Sequence, residues 1–145
     1  MVENPAQRIY PYLQYDDAPA AIEFLERAFG FKEMLRIPMS DGRLGHAEVE
    51  LEGVVVMLAS AYPEMSLVSP RSLDGVPSQV MLYVDDVDAH FERARAEGAP
   101  IDAEPEDQFY GDRTYRCRDP EGHRWTFATR VRDIPPEEWE IPSGP

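Results

Sequence analysis

The sequence predicts an α+β fold in which two repeated β-α-β-β-β modules form a curved mixed sheet around a cleft. An internal repeat, the order of apolar periodicities and the turn residues between them support this. Aligned on itself, the chain matches in one register: Asp16-Asp17 falls on Asp85-Asp86, and 85 minus 16 is 69. The same shift sets Leu13 on Leu82, Ala20 on Ala89, Gly42 on Gly111, Gly53 on Gly122 and Ala59 on Ala128. A module this small is marginal alone, and two copies sharing one interior solve that problem.

The modules cover about residues 8–60 and 77–130, joined by a linker at 61–76 and followed by a tail at 131–145. In the first, Arg8 to Tyr15 reads as a strand, Asp17 as a helix N-cap, and Ile22, Leu25 and Phe29 as the buried stripe of a helix that Gly30 stops. Strands follow at Lys32 to Pro38, Arg43 to Leu51 and Val54 to Ser60, with Glu52-Gly53 as a tight hairpin turn. The second module repeats the order: a strand at Gln79 to Val84, a helix from Val87 to Glu97 behind Asp86, and strands near 101–106, 113–118 and 124–130. The linker, rich in Pro, Ser and Met, reads as a connector or flap, and Trp139 of the Pro-rich acidic tail as an anchor to the body or to a second subunit.

The 145 residues, 43% of them hydrophobic, suffice for one domain with a modest core. No run approaches the ~20 apolar residues of a membrane span, and Met1-Val2-Glu3-Asn4-Pro5 lacks the basic and apolar regions of a signal peptide. A cytoplasmic protein is expected. The formal charge of -14 repels phosphate backbones and anionic lipid, so neither nucleic acid nor membrane is expected as a partner; the same charge would draw a cationic ligand. The single cysteine, Cys117, closes no internal disulfide and reads as a buried strand residue.

Side chains alternate along a strand, so parity separates a helix-facing side from an enclosed side. Ala47, Val49, Leu51, Val54, Val56 and Leu58 suit the helix, as do Ile9, Leu13 and Tyr15. The other side then carries Tyr10, Tyr12, Gln14, His46, Glu48, Glu50 and Met57 in the first module and Gln79, Met81 and Tyr83 in the second. Solvation explains such a face for Glu48 and Glu50. The apolar area of the tyrosines and methionines favours a lined cleft.

Tyr15-Asp16-Asp17-Ala18-Pro19-Ala20-Ala21-Ile22-Glu23-Phe24, Ala28-Phe29-Gly30-Phe31, Tyr83-Val84-Asp85-Asp86-Val87 and Asp119-Pro120-Glu121-Gly122-His123 resemble the vicinal-oxygen-chelate superfamily of glyoxalases, bleomycin-resistance proteins and dioxygenases. Asp41-Gly42-Arg43, Gly45-His46-Ala47-Glu48 and Asp107-Gln108-Phe109-Tyr110-Gly111-Asp112-Arg113 are similar to its PhnB-like group. The resemblance covers nearly the whole chain and implies a homodimer. It also implies four metal-ligand positions, normally His, Gln or Glu, which fall here on Tyr10, Met57, Gln79 and Thr126. A phenol, a thioether, an amide and a hydroxyl are poor competitors with water for a divalent ion, so no cofactor is expected, while His46 and Glu48 keep open an off-centre metal site. His90 reads as a helix-edge or surface residue, and His123 as a hydrogen-bonding residue at a turn.

Three functions remain open. One is a metal-free protein binding a small cationic or aromatic molecule through Tyr10, Tyr12, Gln14, Met57, Gln79, Met81, Tyr83, Thr126 and the Phe109-Tyr110 pair, with Trp139 near. The second is a lyase, isomerase or dioxygenase with Glu48 as base and His46 or Arg113 stabilising developing charge. The third is a regulatory or structural role without a ligand.

Overall fold

The structure, a computed structural model, describes residues 6–144; Met1 to Pro5 and Pro145 lie outside it. The first module runs β1 (Tyr12–Tyr15), α1 (Ala18–Phe29), β2 (Lys32–Pro38), β3 (Leu44–Leu51) and β4 (Val54–Ser60). The second runs β5 (Val80–Tyr83), α2 (Val87–Ala96), β6 (Ile101–Asp107), β7 (Asp112–Arg118) and β8 (Arg124–Arg130). The repeat and the α+β class are as expected, and each module contributes one four-stranded mixed sheet, ordered β1-β4-β3-β2 and β5-β8-β7-β6. In each sheet the opening strand lies parallel to the last strand of its module and forms an edge.

The helix signals act as read. Asp17 Oδ1 accepts the Ala20 N–H at 3.1 Å and Asp86 Oδ1 the Ala89 N–H at 3.1 Å, satisfying donors that the first helical turn cannot use. Gly30 ends α1 at φ 82°, where a side chain would be strained. Glu52 and Gly53 take φ 49° and 87°, the paired positive values of a type I′ hairpin turn.

β1 is shorter than expected. Pro11 has no N–H to give a ladder, and Ile9, expected against the helix, is 88% exposed. The Gln7 amide takes the place of a strand there, accepting the Val55 N–H at 2.9 Å and donating to the Val55 carbonyl at 2.8 Å.

The two modules share one core. Phe29, at the end of α1, meets the rings of Trp125 and Phe127 on β8 at 5.4 and 4.9 Å. His90, expected at the helix edge or surface, is half-buried and bridges the modules: Nε2 donates to the Phe29 carbonyl at 2.8 Å, and Nδ1 accepts from the Tyr115 hydroxyl. Burial, with Arg93 nearby, pushes its pKa down from 6.5 to about 4, so the ring is neutral. Cys117 is buried in the same core, and burial pushes its thiol up to about 12.

A polar clamp closes the module boundary. Asp119 Oδ1 accepts the backbone N–H groups of Glu121, Gly122 and His123, each at 3.1 Å. Its Oδ2 accepts the Tyr15 hydroxyl at 2.6 Å and the Trp125 indole N–H at 3.1 Å. Glu121 accepts the N–H groups of Asp16 and Asp17 at 2.6 and 2.8 Å and the hydroxyl of Ser69 in the linker. His123 Nε2 donates to the Gln14 carbonyl at 2.9 Å, the hydrogen-bonding role expected of it. Asp119-Pro120-Glu121-Gly122-His123 thus ties the second module to the first and to the linker.

Candidate functional site

With the helix-facing sides consumed by the core, each sheet keeps its other face open. In the first sheet, register places Tyr12 beside Met57, Met57 beside Glu48, and Glu48 beside Leu35. Alternation therefore sets Tyr12, Met57 and Glu48 on one face while Ala47, Val49, Val56 and Leu58 enter the core. Tyr12 is 49% exposed, whereas Glu48 is 0% exposed.

Glu48 sits in a hydrogen-bonded row. His46 Nε2 lies 2.8 Å from Glu48 Oε2, and His46 Nδ1 lies 2.7 Å from the Tyr12 hydroxyl. With an ionised Glu48, one neutral tautomer satisfies both contacts: Nε2–H donates to Glu48 and Nδ1 accepts from Tyr12. Burial, and then the Glu48 carboxylate, raise the Tyr12 pKa above the ordinary phenol value of 10.0, so Tyr12 remains a donor at neutral pH. Glu48 Oε1 is buried without a hydrogen-bond partner, the one such side-chain atom among the described residues. An orphan acceptor costs on the order of 1–3 kcal/mol.

Beside this row lies a hollow of about 670 Å³, of small-molecule size. Tyr12 and Gln14 form part of its floor, Met39 and Leu44 one wall, and Tyr62, Met65 and Leu67 from the linker its roof. The expected flap is therefore ordered. A backbone bridge pairs Tyr62 with Leu67, and the Arg43 guanidinium lies 4.8 Å over the Tyr62 ring and 3.9 Å from Glu64. Among the described residues, Arg43 is the only ionisable group lining this hollow apart from the tyrosine phenols, and Asp41 pairs with it at 2.8 Å.

The second sheet has its own open face. Gln79, Met81, Tyr110 and Thr126 line a hollow of about 520 Å³ together with Gln108, Thr114 and Arg116. Tyr83 donates to Asp112 Oδ2 at 2.6 Å, and Asp112 pairs with Arg130. Burial, and then Asp112, raise the Tyr110 pKa above 10.0. Phe109 turns away from this hollow toward the tail, where Trp139 meets Phe109 and Tyr110 at ring distances of 5.8 and 6.2 Å.

Arg113 does not join Glu48 and His46. It lies in the other module, paired with Asp88 at 3.0 Å and Asp107 at 3.2 Å, because its β7 position sends the side chain toward those carboxylates. Its expected role in stabilising charge beside Glu48 is corrected on that ground. Sequence reasoning also missed the roof residues, Arg43 and Arg116.

A model of the glyoxalase/bleomycin resistance protein/dioxygenase superfamily matches residues 8–127. The chain belongs to that superfamily. It is 40% identical to an uncharacterised protein of Mycobacterium bovis over 95% of this chain and 93% of that one. It superposes on TioX from Micromonospora sp. ML1 with a TM-score of 0.70 and 36% identity, covering 87% of this chain and 100% of that one. A superfamily protein from Nocardioides gives a TM-score of 0.62 at 26% identity, covering 94% and 90%.

The superfamily's metal positions, tested on this chain, do not fit a divalent ion. Tyr10 and Met57 lie in the first module, Gln79 and Thr126 on the open face of the second, and the Tyr10 hydroxyl is spent on the Gln7 carbonyl at 3.2 Å. The donor set offers neither imidazole nor carboxylate. The off-centre pair fares no better, since both His46 ring nitrogens are engaged by Tyr12 and Glu48. Among the described residues no group of three His, Cys, Asp or Glu is placed to hold a metal ion, and no helix is long and apolar enough to cross a membrane.

Proposed function

We propose that this superfamily member is a metal-free protein that binds a small flat aromatic molecule at the open faces of its sheets. The roofed hollow of the first sheet carries this reading: tyrosine faces and methionine thioethers suit a ring, and the volume suits a compact one. The Arg43 charge is answered by Asp41 at 2.8 Å and Glu64 at 3.9 Å, so the lining favours a neutral ring over a charged one. On the residues that resemble it, we group the chain with the PhnB-like members, and we expect it in the cytoplasm.

The test is calorimetric titration with quinoline, with an expected stoichiometry of one per chain. Leu67→Asp sets an unpaired carboxylate against the ring and is expected to weaken binding by about tenfold or more without moving the melting temperature. Equal binding by the variant would remove the roofed hollow from consideration.

A second reading, a lyase or isomerase with Glu48 as base, is favoured by the orphan Oε1 alone. Glu48→Gln separates the two: quinoline binding by a folded but turnover-dead variant points to an enzyme, and unchanged binding with no turnover in either protein to a sequestering role.

We further propose a homodimer in which the edge strands of a second copy pair with those of the first. The supporting observation is a pair of matched edges, β1 and β5, four residues each, with Tyr12, Met81 and Tyr83 49%, 44% and 47% exposed beside them. Exposed edges of this kind invite pairing. Sedimentation velocity is expected to give a dimer for the native protein and a monomer for Met81→Lys; a native monomer at tens of micromolar refutes the assembly.

A further inference from the structure

We propose that Arg116 forms a carboxylate subsite in the hollow of the second sheet, separate from the roofed hollow of the first, which makes an aromatic carboxylate the preferred ligand of that second face. The inference rests on the reading that the open faces hold a small molecule, and it names the class of molecule at the second.

The repeat locates Arg116. Glu48 pairs with Met57 in the first sheet and Arg116 with Thr126 in the second, and Met57 and Thr126 are related by the internal shift, since 126 minus 57 is 69. Arg116 therefore occupies the position that Glu48 holds in the first module. Its strand neighbours Tyr115 and Cys117 enter the core, which turns Arg116 onto the open face, where it lines the hollow with Gln79 and Thr126.

The Arg116 side chain makes neither an ion pair nor a hydrogen bond with the described residues, although the chain carries 28 acidic residues against 14 basic ones. Arg113 and Arg118, on the same strand, each meet a carboxylate. Arg8, Arg124 and Arg132 are also without a side-chain partner among the described residues, but of these four Arg116 alone lines the hollow on the second sheet's open face, where a free guanidinium suits an anion supplied from outside.

The surroundings fit a carboxylate in particular. The planar guanidinium fork matches two carboxylate oxygens. The Gln79 amide and the Thr126 hydroxyl, also without side-chain partners, can donate to the same group. Met81 and Tyr110 offer the ring an apolar seat. Glu106 stands in the same hollow and repels a multiply charged anion more strongly than a monoanion, which selects carboxylate over phosphate.

Arginine side-chain Nε–H resonances provide the test, with Arg116 assigned by its loss in Arg116→Gln. Benzoate, benzamide, acetate and inorganic phosphate are titrated in turn. Benzoate is expected to shift the Arg116 resonance and to bind at least about tenfold tighter than benzamide, with the preference abolished in Arg116→Gln. The site is exposed, so that variant should melt with the native protein. Equal binding of benzoate and benzamide with Arg116 unmoved would overturn the subsite while leaving the small-molecule reading intact. Acetate shifting Arg116 as strongly as benzoate supports the subsite and counts against the aromatic reading. Binding by none of the four overturns the subsite, and silence from quinoline as well overturns both.

Discussion

Asp119→Ala is expected to lower the free energy of unfolding by about 3–5 kcal/mol. One carboxylate accepts five hydrogen bonds: three from its own turn, one from the Tyr15 hydroxyl and one from the Trp125 indole. Tyr15 and Trp125 are 0% and 1% exposed, so both donors would be stranded away from water. Burial first, and then the Asp119 charge, hold the Tyr15 pKa well above 10.0, so the phenol cannot relieve the loss by ionising. Asp119→Asn keeps one carbonyl oxygen but turns an amide N–H₂ toward existing donors, and should fall between native and Ala. Urea denaturation with a common m-value measures the series. A loss below about 1 kcal/mol for Ala would mean that the clamp is not a main tie between the modules.

Acidification is expected to cost about 3 kcal/mol through His90 alone. The sign follows from the direction of the shift: the folded pKa, about 4, lies below the ordinary 6.5, so the unfolded chain takes up the proton first. The stabilisation is complete above pH 6.5, falls as pH drops below it, and is gone below about pH 4. Its physical origin is desolvation, since a charge would be held between Phe29 and Phe127 away from water, and repulsion from Arg93 adds to it. His90→Gln retains a donor for the Phe29 carbonyl and cannot titrate. Urea midpoints for native protein and variant should converge from pH 7 toward pH 4; parallel curves would clear His90 of the effect.

Much of the fold was legible because it is local. β2, β4 and β8 begin and end where the alternation and turns set them, and both helices start behind the aspartates that cap them. What escaped the sequence is tertiary. His90 looks like an edge residue from its own helix, and only the arrival of the α1 carboxyl end makes it a bridge. Arg116 escaped for a subtler reason. Carried rigidly, the 69-residue shift sends Glu48 to Cys117, but the second hairpin turn is one residue longer: paired positions 50 and 55 differ by 5, and 118 and 124 by 6. The alternation of Tyr115 and Cys117 against Thr114 and Arg116 held the correct answer, and the repeat obscured it. The added residue belongs to the turn that Asp119 organises. Of the candidate site, Tyr12, Gln14, His46 and Glu48 were readable from strand parity, whereas the roof was not, since nothing in a Pro- and Met-rich linker announces which sheet it will cover.

The linker is tied down at several points before any ligand arrives. Glu121 grips Ser69, a bridge closes the stretch from Tyr62 to Leu67, and Arg43 holds its outer side. Ordering a loop during association subtracts from affinity, at about 0.5–1.5 kcal/mol for each immobilised flexible side chain. Here the loop backbone and Tyr62 are already held in the folded chain, which leaves Met65 and Leu67, 67% and 42% exposed, as the side chains still to settle on a ligand. The hollow should accordingly behave as a fixed mould, selective by outline, rather than as an adaptable mouth that reshapes itself around varied guests.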